Sequence, residues 1–382
     1  MLTTYIADSL FDGKAIHHAL PMTVDNGKII AFEPIAGAKE VRLNGVIAPG
    51  LIDTQVNGGG GLLFNDKPTL QTLKCMVAAH CKFGTTGLLP TLITDELSKI
   101  TQAADAIALA IRAKTPGILG VHFEGPHISV AKRGIHHESK VRGITDAELE
   151  IYCRDDLGQK ILTIAPETVE PAIIKTLVEH NVHVSLGHSN ATYRQTKAAL
   201  DAGATGFTHL FNAMSPLESR EPNMIGAALD NKHSWCGIIL DGHHVSPVTA
   251  RIAYQAKAAQ KMMLVTDAMS TIGSDQSAFV FDGHEIHREG DKLVSNTGQL
   301  AGAAIDMITT VNNAVTMLGI SLEEGLRMAS KYPAQFLAIE ACKGQLSIGN
   351  DADFIVLNQL PTTNKQQAVQ VKQTWIGANQ HF

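Results

Sequence analysis

Residues 118–126 read Ile118-Leu-Gly-Val-His-Phe-Glu-Gly-Pro126, a short apolar run that ends on a carboxylate and a Gly-Pro break. The run predicts a strand over Ile118–Phe123, which leaves Glu124 at its carboxyl end. Similar apolar runs recur along the chain, separated by amphipathic stretches of helical length. The other predicted strands are Val46–Val56, Gly87–Leu92, Ile161–Ala165, Val182–Gly187, Gly206–Leu210, Gly237–Leu240 and Met262–Val265.

Strands that alternate with helix-length segments are typical of βαβ units and a parallel sheet. The predicted helices include Leu70–Cys81, Val169–His180, Tyr193–Asp201 and Thr249–Gln260. Eight strands in this alternation favour an α/β fold in which a (β/α)8 barrel occupies residues 45–340.

The two ends of the chain have a different pattern. Asn26-Gly27 lies between two apolar runs within Thr23–Phe32, which is a strong β-hairpin signal. Ala352–Leu357 predicts a further strand after a Gly-containing turn. We therefore predict that residues 1–44 and 341–382 form one small β-sandwich domain, with the barrel inserted between them.

Composition excludes several classes of protein. The 382 residues are 45% hydrophobic and 18% charged, as in an ordinary soluble enzyme, and the net charge of −6 gives no reason to expect a nucleic-acid partner. No apolar run approaches the roughly 18 residues of a membrane span. Five scattered cysteines, an odd number, argue against a disulfide framework, and the N-terminus lacks the pattern of a signal peptide. These features predict a cytoplasmic protein that contacts no membrane.

Reactive side chains fall at the carboxyl ends of the predicted strands. In a barrel these ends converge on one face, where the active sites of such folds lie. The sequences there are Asp-Thr-Gln-Val-Asn (53–57), Phe-Glu-Gly-Pro (123–126), Ala-Pro-Glu (165–167), Gly-His-Ser-Asn (187–190), Thr-His-Leu-Phe-Asn (208–212), Asp-Gly-His-His (241–244) and Thr-Asp-Ala (266–268).

Glu124, His188 and His209 end three different strands and suit a metal. Two imidazoles and a carboxylate that leave one position open are a recognised catalytic zinc set. Taken singly, His188 reads as a residue at a helix start and His209 as a hydrogen-bonded core histidine. Their joint placement at strand ends favours metal binding, and zinc, iron, manganese and cobalt all accept such a mixed set.

Asp267 ends the last predicted strand. A carboxylate beside an activated water can take its proton and return it to the leaving nitrogen. The alternative is a helix N-cap, a common role for aspartate after a strand.

His244 could stabilise charge that develops on a substrate carbonyl, although alternation does not show whether His243 or His244 points inward. His122, two residues before Glu124, either supports the site or fills the barrel.

Gln55 and Asn57 occupy positions where many barrel hydrolases carry two histidines that bind a second metal. Amides are poor ligands compared with imidazole or carboxylate, so we predict one divalent ion per chain.

Beyond the sixth strand, the Asn212-Ala-Met turn and Arg220 are candidates for binding an anion such as phosphate. The alternative for Arg220 is a surface ion pair with Glu218 or Glu221.

Together these motifs resemble the N-acetylglucosamine-6-phosphate deacetylases of the amidohydrolase superfamily. The resemblance runs the full length of the chain, and its Gly349-Asn-Asp-Ala-Asp-Phe354 segment is common to the whole superfamily. The motifs that carry it are Pro49-Gly-Leu-Ile-Asp-Thr-Gln-Val-Asn-Gly58, His122-Phe-Glu-Gly-Pro126, Gly187-His-Ser-Asn-Ala191, Thr208-His-Leu-Phe-Asn-Ala-Met214 and Val265-Thr-Asp-Ala268.

The resemblance implies a homodimer that binds one divalent metal ion per subunit on Glu124, His188 and His209. Zinc is the first expectation, with iron, manganese, cobalt or nickel as alternatives. It implies Asp267 as general base and acid in removing the N-acetyl group of N-acetyl-D-glucosamine 6-phosphate. The implied contacts to sugar and phosphate are His136, Asn212, Ala213, Arg220, His244, Leu300, Ala301, Gly302 and Ala303. The last four depart slightly from the family, in which a serine is expected among the small residues, and His243 is unusual beside His244.

Two other functions remain open at this point. One is a different amidohydrolase, such as an N-acyl-amino-acid deacylase or a cyclic amidase, which would keep the metal site and lack the phosphate pocket. The other is a catalytically inactive sensor of sugar phosphates. A sensor has no need of a base, so the presence of Asp267 beside the three metal ligands argues against it.

Overall fold

The computed structural model describes residues 1–257, 260–281, 283–296, 298–358 and 368–382. The strands are β1 (Thr3–Phe11), β2 (Ile16–His18), β3 (Met22–Asp25), β4 (Lys28–Ala31), β5 (Lys39–Pro49), β6 (Leu51–Val56), β7 (Gly58–Gly59), β8 (Leu62–Leu63), β9 (Thr85–Ile93), β10 (Gly120–Glu124), β11 (Gln159–Ile164), β12 (Val182–Leu186), β13 (Gly206–Phe207), β14 (Trp235–Ile238), β15 (Met262–Leu264), β16 (Ala278–Phe281), β17 (His284–Glu289), β18 (Lys292–Ser295), β19 (Leu300–Ala303), β20 (Phe354–Leu357), β21 (Val371–Ile376) and β22 (Asn379–Gln380).

The helices alternate with the strands over the middle of the chain. They are α1 (Leu70–Cys81), α2 (Leu97–Arg112), α3 (Asp146–Tyr152), α4 (Pro171–Glu179), α5 (Tyr193–Asp201), α6 (Asn223–Asp230), α7 (Pro247–Ala256), α8 (Met307–Leu318), α9 (Leu322–Met328) and α10 (Lys331–Phe336), with short 3-10 turns at Val130–Lys132, Glu138–Lys140 and Asp155–Leu157. None of the helices in the described ranges is long and apolar enough to cross a membrane.

Eight parallel strands form the barrel, in the order β6, β9, β10, β11, β12, β13, β14 and β15. The first and last strands meet beyond their ends, where Val56 and Ala268 form a parallel bridge and Asn57 N–H donates to the Ala268 carbonyl at 2.8 Å. This contact brings the carboxyl ends of β6 and β15 together. The predicted α/β barrel is confirmed.

One predicted strand is wrong, because the run Val46–Val56 is two strands. Residues up to Pro49 belong to β5, which pairs with β1 and β20 in another sheet, whereas Leu51–Val56 enters the barrel. Gly50 marks the change of sheet, and a side chain there would collide with Thr86 of the neighbouring strand. Because the sequence is apolar on both sides of Gly50, it does not reveal this change of partner strand.

Both chain termini contribute to one sheet outside the barrel. Its order is β22, β21, β20, β5, β1, β3, β4, with β2 on β1. The predicted hairpin is confirmed, since β3 and β4 flank Asn26 and Gly27, which have φ of 48° and 77°. The domain boundaries stay a prediction: β5 runs through the proposed boundary at 44/45, and residues 359–367 of the terminal segment lie outside the described residues.

Local capping signals explain the helices that were predicted well. α1 and α5 have the predicted bounds, and they begin where Thr69 and Thr192 accept hydrogen bonds from the backbone three residues on. The helix predicted over Thr249–Gln260 begins earlier, at Pro247 after the Ser246 cap, and ends at Ala256. Residues 258 and 259 of that prediction lie outside the described residues.

A four-stranded antiparallel sheet, β16–β19, is inserted between β15 and α8, and the sequence did not predict it. Its inner face packs Phe281, Ile286 and Leu293 against Met269, which follows the last barrel strand. A parallel bridge joins Ala303 of β19 to Ala268. The inserted sheet therefore lies over the carboxyl-end face of the barrel, beside the predicted site.

Candidate active site

Glu124, His188 and His209 converge at the carboxyl ends of β10, β12 and β13. The Oε1 atom of Glu124 lies 3.1 Å from Nε2 of His188 and 2.9 Å from Nε2 of His209. The two ring nitrogens are 3.0 Å apart, and all three side chains are buried. In the part of the chain that the structure describes, they are the one group of metal-binding side chains close enough to share an ion.

The donor atoms suit a divalent metal. Nδ1 of His188 lies 2.9 Å from the Lys132 carbonyl and must donate to it, so that in the neutral ring Nε2 has the lone pair that a metal would need. Burial disfavours a charged Glu124, yet the hydrogen bonds and charges of both histidines hold its pKa well below the ordinary value. A carboxylate and two imidazole nitrogens facing one point match the ligand chemistry of a catalytic zinc site.

The side chains of Gln55 and Asn57 direct amide donors at the carboxylates of the site. The Gln55 Nε2 amide donates to both oxygens of Glu124, at 3.2 and 3.1 Å, and to Oδ1 of Asp267 at 3.2 Å. Asn57 Nδ2 donates to the same Oδ1 at 2.6 Å. Two amide donors thus occupy the space beside the carboxylates, where a second cation would need acceptors.

Asp267 lies in this cluster, immediately beyond β15, with φ of 52°. Its backbone N–H donates to the Gln55 carbonyl at 3.0 Å, and its carbonyl accepts from Ala303 N–H at 3.0 Å. Burial raises the pKa of Asp267 to about 6, and the charge of Glu124 adds to the rise. The next α-helix starts only at Met307, so Asp267 does not act as an N-cap.

A cavity of about 400 Å³ opens above these residues. Six predicted substrate-contact residues line it: His136, Asn212, Ala213, His244, Leu300 and Gly302. Ala301 and Ala303 do not line it, because alternation along β19 turns them into the buried core. Arg220 is exposed and does not line the cavity either.

His244, and not His243, faces the cavity. His243 turns outward, and its Nε2 lies 3.0 Å from Oδ1 of the exposed Asp291. His244 is held by Asp241, whose Oδ2 lies 2.6 Å from Nδ1 of the ring. Although burial favours the neutral acid, the hydrogen bond and charge of His244 hold the pKa of Asp241 at about 2.

Two other predicted histidines have clear surroundings. The His136 ring packs against that of His188, with centroids 4.3 Å apart and ring planes tilted by 49°, and its Nδ1 lies 2.7 Å from the Thr94 hydroxyl. His122 bonds to the Thr54 carbonyl and the Thr163 hydroxyl inside the barrel, and burial lowers its pKa to about 4. His122 therefore fills the barrel as a neutral ring.

The sequence missed several residues of the site. Asp241 belongs to one of the polar strand ends, but the sequence analysis gave it no role. Its position three residues before His244 could have indicated a contact between the two side chains. The cavity wall also contains Ile93, Gly134, Ile135, Ile239, Met269, Gly298 and Gln299. Apolar and loop residues of this kind carry no chemical signal, and Gly298 and Gln299 belong to the unpredicted inserted sheet.

Comparison with known proteins gives the family. The model of the amidohydrolase family matches residues 46–380. The chain belongs to this family. The predicted resemblance is thereby confirmed, and amidohydrolases are metal-dependent hydrolases.

Individual amidohydrolases show strong similarity over nearly the whole chain. An N-acetylgalactosamine-6-phosphate deacetylase of Shewanella sp. (strain ANA-3) is 50% identical over 86% of this chain and 84% of its own length. The crystal structure of N-acetylglucosamine-6-phosphate deacetylase from Pasteurella multocida aligns with a TM-score of 0.92 and 34% identity, covering 100% of this chain and 99% of that one. A mutant of the Mycobacterium smegmatis enzyme in complex with N-acetyl-D-glucosamine-6-phosphate aligns with a TM-score of 0.88 and 28% identity, covering 100% and 99%.

Proposed function

We propose that this amidohydrolase hydrolyses the N-acetyl group of an N-acetylhexosamine 6-phosphate, releasing acetate and the free amino sugar phosphate. The observation that carries the proposal is the half-buried carboxylate of Asp267 beside the Glu124, His188 and His209 cluster, at the base of a cavity. The activities of the relatives described above support the substrate class.

Glu124, His188 and His209 would hold one divalent ion, with zinc expected first and iron, manganese, cobalt or nickel as alternatives. A divalent ion supplies Lewis-acid polarisation of the acyl carbonyl and activation of water. The remaining steps belong to the protein. Asp267 accepts a proton from the attacking water and passes it to the leaving nitrogen, so that the amine departs neutral.

The position of Asp267 supports this role. Its Oδ1 accepts hydrogen bonds from Gln55 and Asn57, which hold the carboxylate in place. Among the described residues Oδ2 has no hydrogen-bond partner, so it is the oxygen available to a substrate or a water. A pKa raised by burial suits a group that must both take and release a proton.

Substrate contacts are proposed for the lining residues His136, Asn212, Ala213, His244, Leu300 and Gly302. Ala301 and Ala303 would support the site without contacting the substrate, since the Ala303 N–H donates to the Asp267 carbonyl. Arg220 lies outside the cavity and is exposed. We therefore place its phosphate contact across a homodimer, where the arginine of one subunit reaches the cavity of its partner.

Two hexosamines that differ at one carbon compete as the substrate. N-acetyl-D-glucosamine 6-phosphate is the sequence-based prediction and is supported by the Pasteurella and Mycobacterium enzymes. N-acetylgalactosamine 6-phosphate is the second candidate because the 50% identical relative is a deacetylase of that sugar. We also place the chain in the cytoplasm, in line with its five unpaired cysteines.

The test is acetate release by the purified, zinc-loaded protein from both phosphosugars and from unphosphorylated N-acetylglucosamine. We expect high kcat/KM for one or both phosphosugars and little for the unphosphorylated sugar. Equal activity on phosphorylated and unphosphorylated sugars would point to another amidohydrolase, such as an N-acyl-amino-acid deacylase. Binding without acetate release would support the sensor.

A further inference from the structure

Asp241 is a buried carboxylate whose two oxygens are both engaged by the segment that carries His244. The side chain is 1% exposed. Oδ1 accepts hydrogen bonds from the backbone N–H groups of His243 and His244, each at 2.9 Å. Oδ2 lies 2.6 Å from Nδ1 of the His244 ring. Gly242, with φ of 80°, closes the turn that makes these contacts possible.

The chemistry of the pair sets the direction of its hydrogen bonds. An ionised carboxylate can only accept, and the pKa of Asp241, about 2, keeps it ionised near neutral pH. Nδ1 of His244 must therefore carry a hydrogen. In a neutral imidazole the other nitrogen then has a lone pair and no hydrogen. Nε2 is the ring nitrogen left for a molecule in the cavity that His244 lines.

We propose that Asp241 is a positioning residue that fixes the Nδ1–H tautomer of His244, so that Nε2 accepts a hydrogen bond from a hydroxyl or amide N–H of the substrate. The inference rests on the proposed function, because the N-acetylhexosamine phosphate supplies those donors. It revises the sequence-based role of His244. Stabilising a developing negative charge needs a hydrogen on Nε2, which a neutral ring of this tautomer lacks.

The neighbouring pair of His243 and Asp291 is a matched control within the same chain. It joins the same two residue types at 3.0 Å, but through Nε2 and at the surface, with side chains 31% and 66% exposed. His243 does not line the cavity. Asp291→Asn thus makes the same chemical change as Asp241→Asn, but at the partner of His243, the residue next to His244 in the chain. It does so without changing a residue that lines the cavity.

The direct test is ¹⁵N NMR of histidine-labelled, zinc-loaded protein at a pH where His244 is neutral, with the signal assigned from His244→Ala. We expect the Nδ1–H tautomer in wild type and in Asp291→Asn. In Asp241→Asn the amide oxygen keeps the two backbone N–H groups and its NH₂ faces Nδ1, so the ring should switch to Nε2–H. An Nε2–H tautomer in wild type overturns the inference, even if Asp241→Asn does not fold.

Kinetics test whether the tautomer matters to the substrate. In Asp241→Asn, kcat/KM for the phosphosugar should fall about 10- to 100-fold. Nε2 of His244 would change from an acceptor to a donor, and it would then face a donor group of the substrate. Asp291→Asn should match wild type. Because Asp241 acts through His244, adding Asp241→Asn to His244→Ala should cause no further loss.

Wild-type kcat/KM in a folded Asp241→Asn, or a further loss in the double variant, would overturn the inference. Wild type that releases no acetate would contradict the proposed function instead, and the NMR result would still decide the tautomer.

Discussion

Asp53 and Thr266, 213 residues apart in the sequence, are joined by two hydrogen bonds across the closure of the barrel. The Thr266 backbone N–H and hydroxyl both donate to the Asp53 carboxylate, and the same hydroxyl accepts from Ala268 N–H at 3.2 Å. The peptides on either side of Asp267 are both tied to β6, because the Asp267 N–H donates to the Gln55 carbonyl and the Ala268 N–H donates to the hydroxyl that is bonded to Asp53. This clamp keeps Asp267 in its left-handed conformation, with φ of 52°.

Asp53→Asn should change how stability depends on pH. Burial raises the pKa of Asp53 to about 7, from 3.8 in an unfolded chain, so the folded state binds the proton more tightly between these values. This group's contribution to stability is present below about pH 4 and is lost as the pH rises to about 7. Asparagine does not titrate. Between pH 5 and pH 8, the Tm of wild type should therefore fall relative to the Tm of Asp53→Asn. A Tm difference that is the same at both pH values would contradict the raised pKa of Asp53.

Thr266→Val should weaken the clamp. It removes the hydroxyl that links Asp53 to Ala268, leaving buried polar groups unpaired, at a cost of about 1–3 kcal/mol in the free energy of unfolding. Loosening Asp267 should also lower kcat about tenfold. The control is Thr271→Val, because that buried hydroxyl has no partner among the described residues. Denaturant unfolding should separate the two variants; equal losses would mean that the link to Asp53 contributes nothing.

Asp267→Asn should abolish proton transfer without releasing the metal. The amide keeps the size of the side chain but has no basicity, so kcat should fall at least about 10²-fold while metal content by elemental analysis is unchanged. Glu167→Gln is the comparison. Glu167 accepts hydrogen bonds from Ser189 and Asn190 in the loop beyond His188 and does not line the cavity. Near-normal kcat in Asp267→Asn would assign the base elsewhere.

Active protein should contain about one divalent ion per chain, because Glu124, His188 and His209 form the one metal-binding group found among the described residues and the neighbouring amides donate to carboxylates. His188→Asn and His209→Asn should lose the metal and the activity together. His243→Ala, which removes an exposed histidine of the same face, should retain both. Two ions per chain that are both needed for activity would refute the single-ion site.

Arg220→Lys should damage recognition of phosphate. A guanidinium binds phosphate through two parallel hydrogen bonds that a lysine cannot reproduce, so kcat/KM for the phosphosugar should fall about tenfold or more. Activity on the unphosphorylated sugar should change little. If the arginine acts across a dimer, mixed dimers of an Arg220 variant and a metal-site variant should regain activity. Equal losses on both sugars would mean that Arg220 supports only the fold.

Local patterns were enough to predict the barrel and most of the site. Apolar runs separated by helical stretches specify βαβ units. Closure of a barrel brings the carboxyl ends of all its strands to one face, regardless of the conformation of the loops. Glu124, His188, His209 and Asp267 could be assigned for this reason, each from its place at the end of one run.

Partner choice between distant segments could not be predicted. The run Val46–Val56 is apolar on both sides of Gly50, and its division depends on β20, some 300 residues later, pairing with β5. The inserted sheet β16–β19 has short strands, and β17 exposes five of its six residues, so its sequence lacks the apolar–polar alternation that marks a strand. Gly298 and Gln299 of the cavity wall were missed with this sheet, whereas Leu300 and Gly302 were expected from the family resemblance.

The sequence by itself determined which residues are candidates for the chemistry, because residue type and position at a strand end are local properties. Only the tertiary structure decided how those residues are oriented. It turned His244 inward and His243 outward, placed amide donors between Glu124 and Asp267, and left Arg220 outside the cavity. Hydrogen-bond direction, burial and the pKa of a carboxylate depend on atoms brought together from segments up to 213 residues apart, and no short pattern in the chain contains that information.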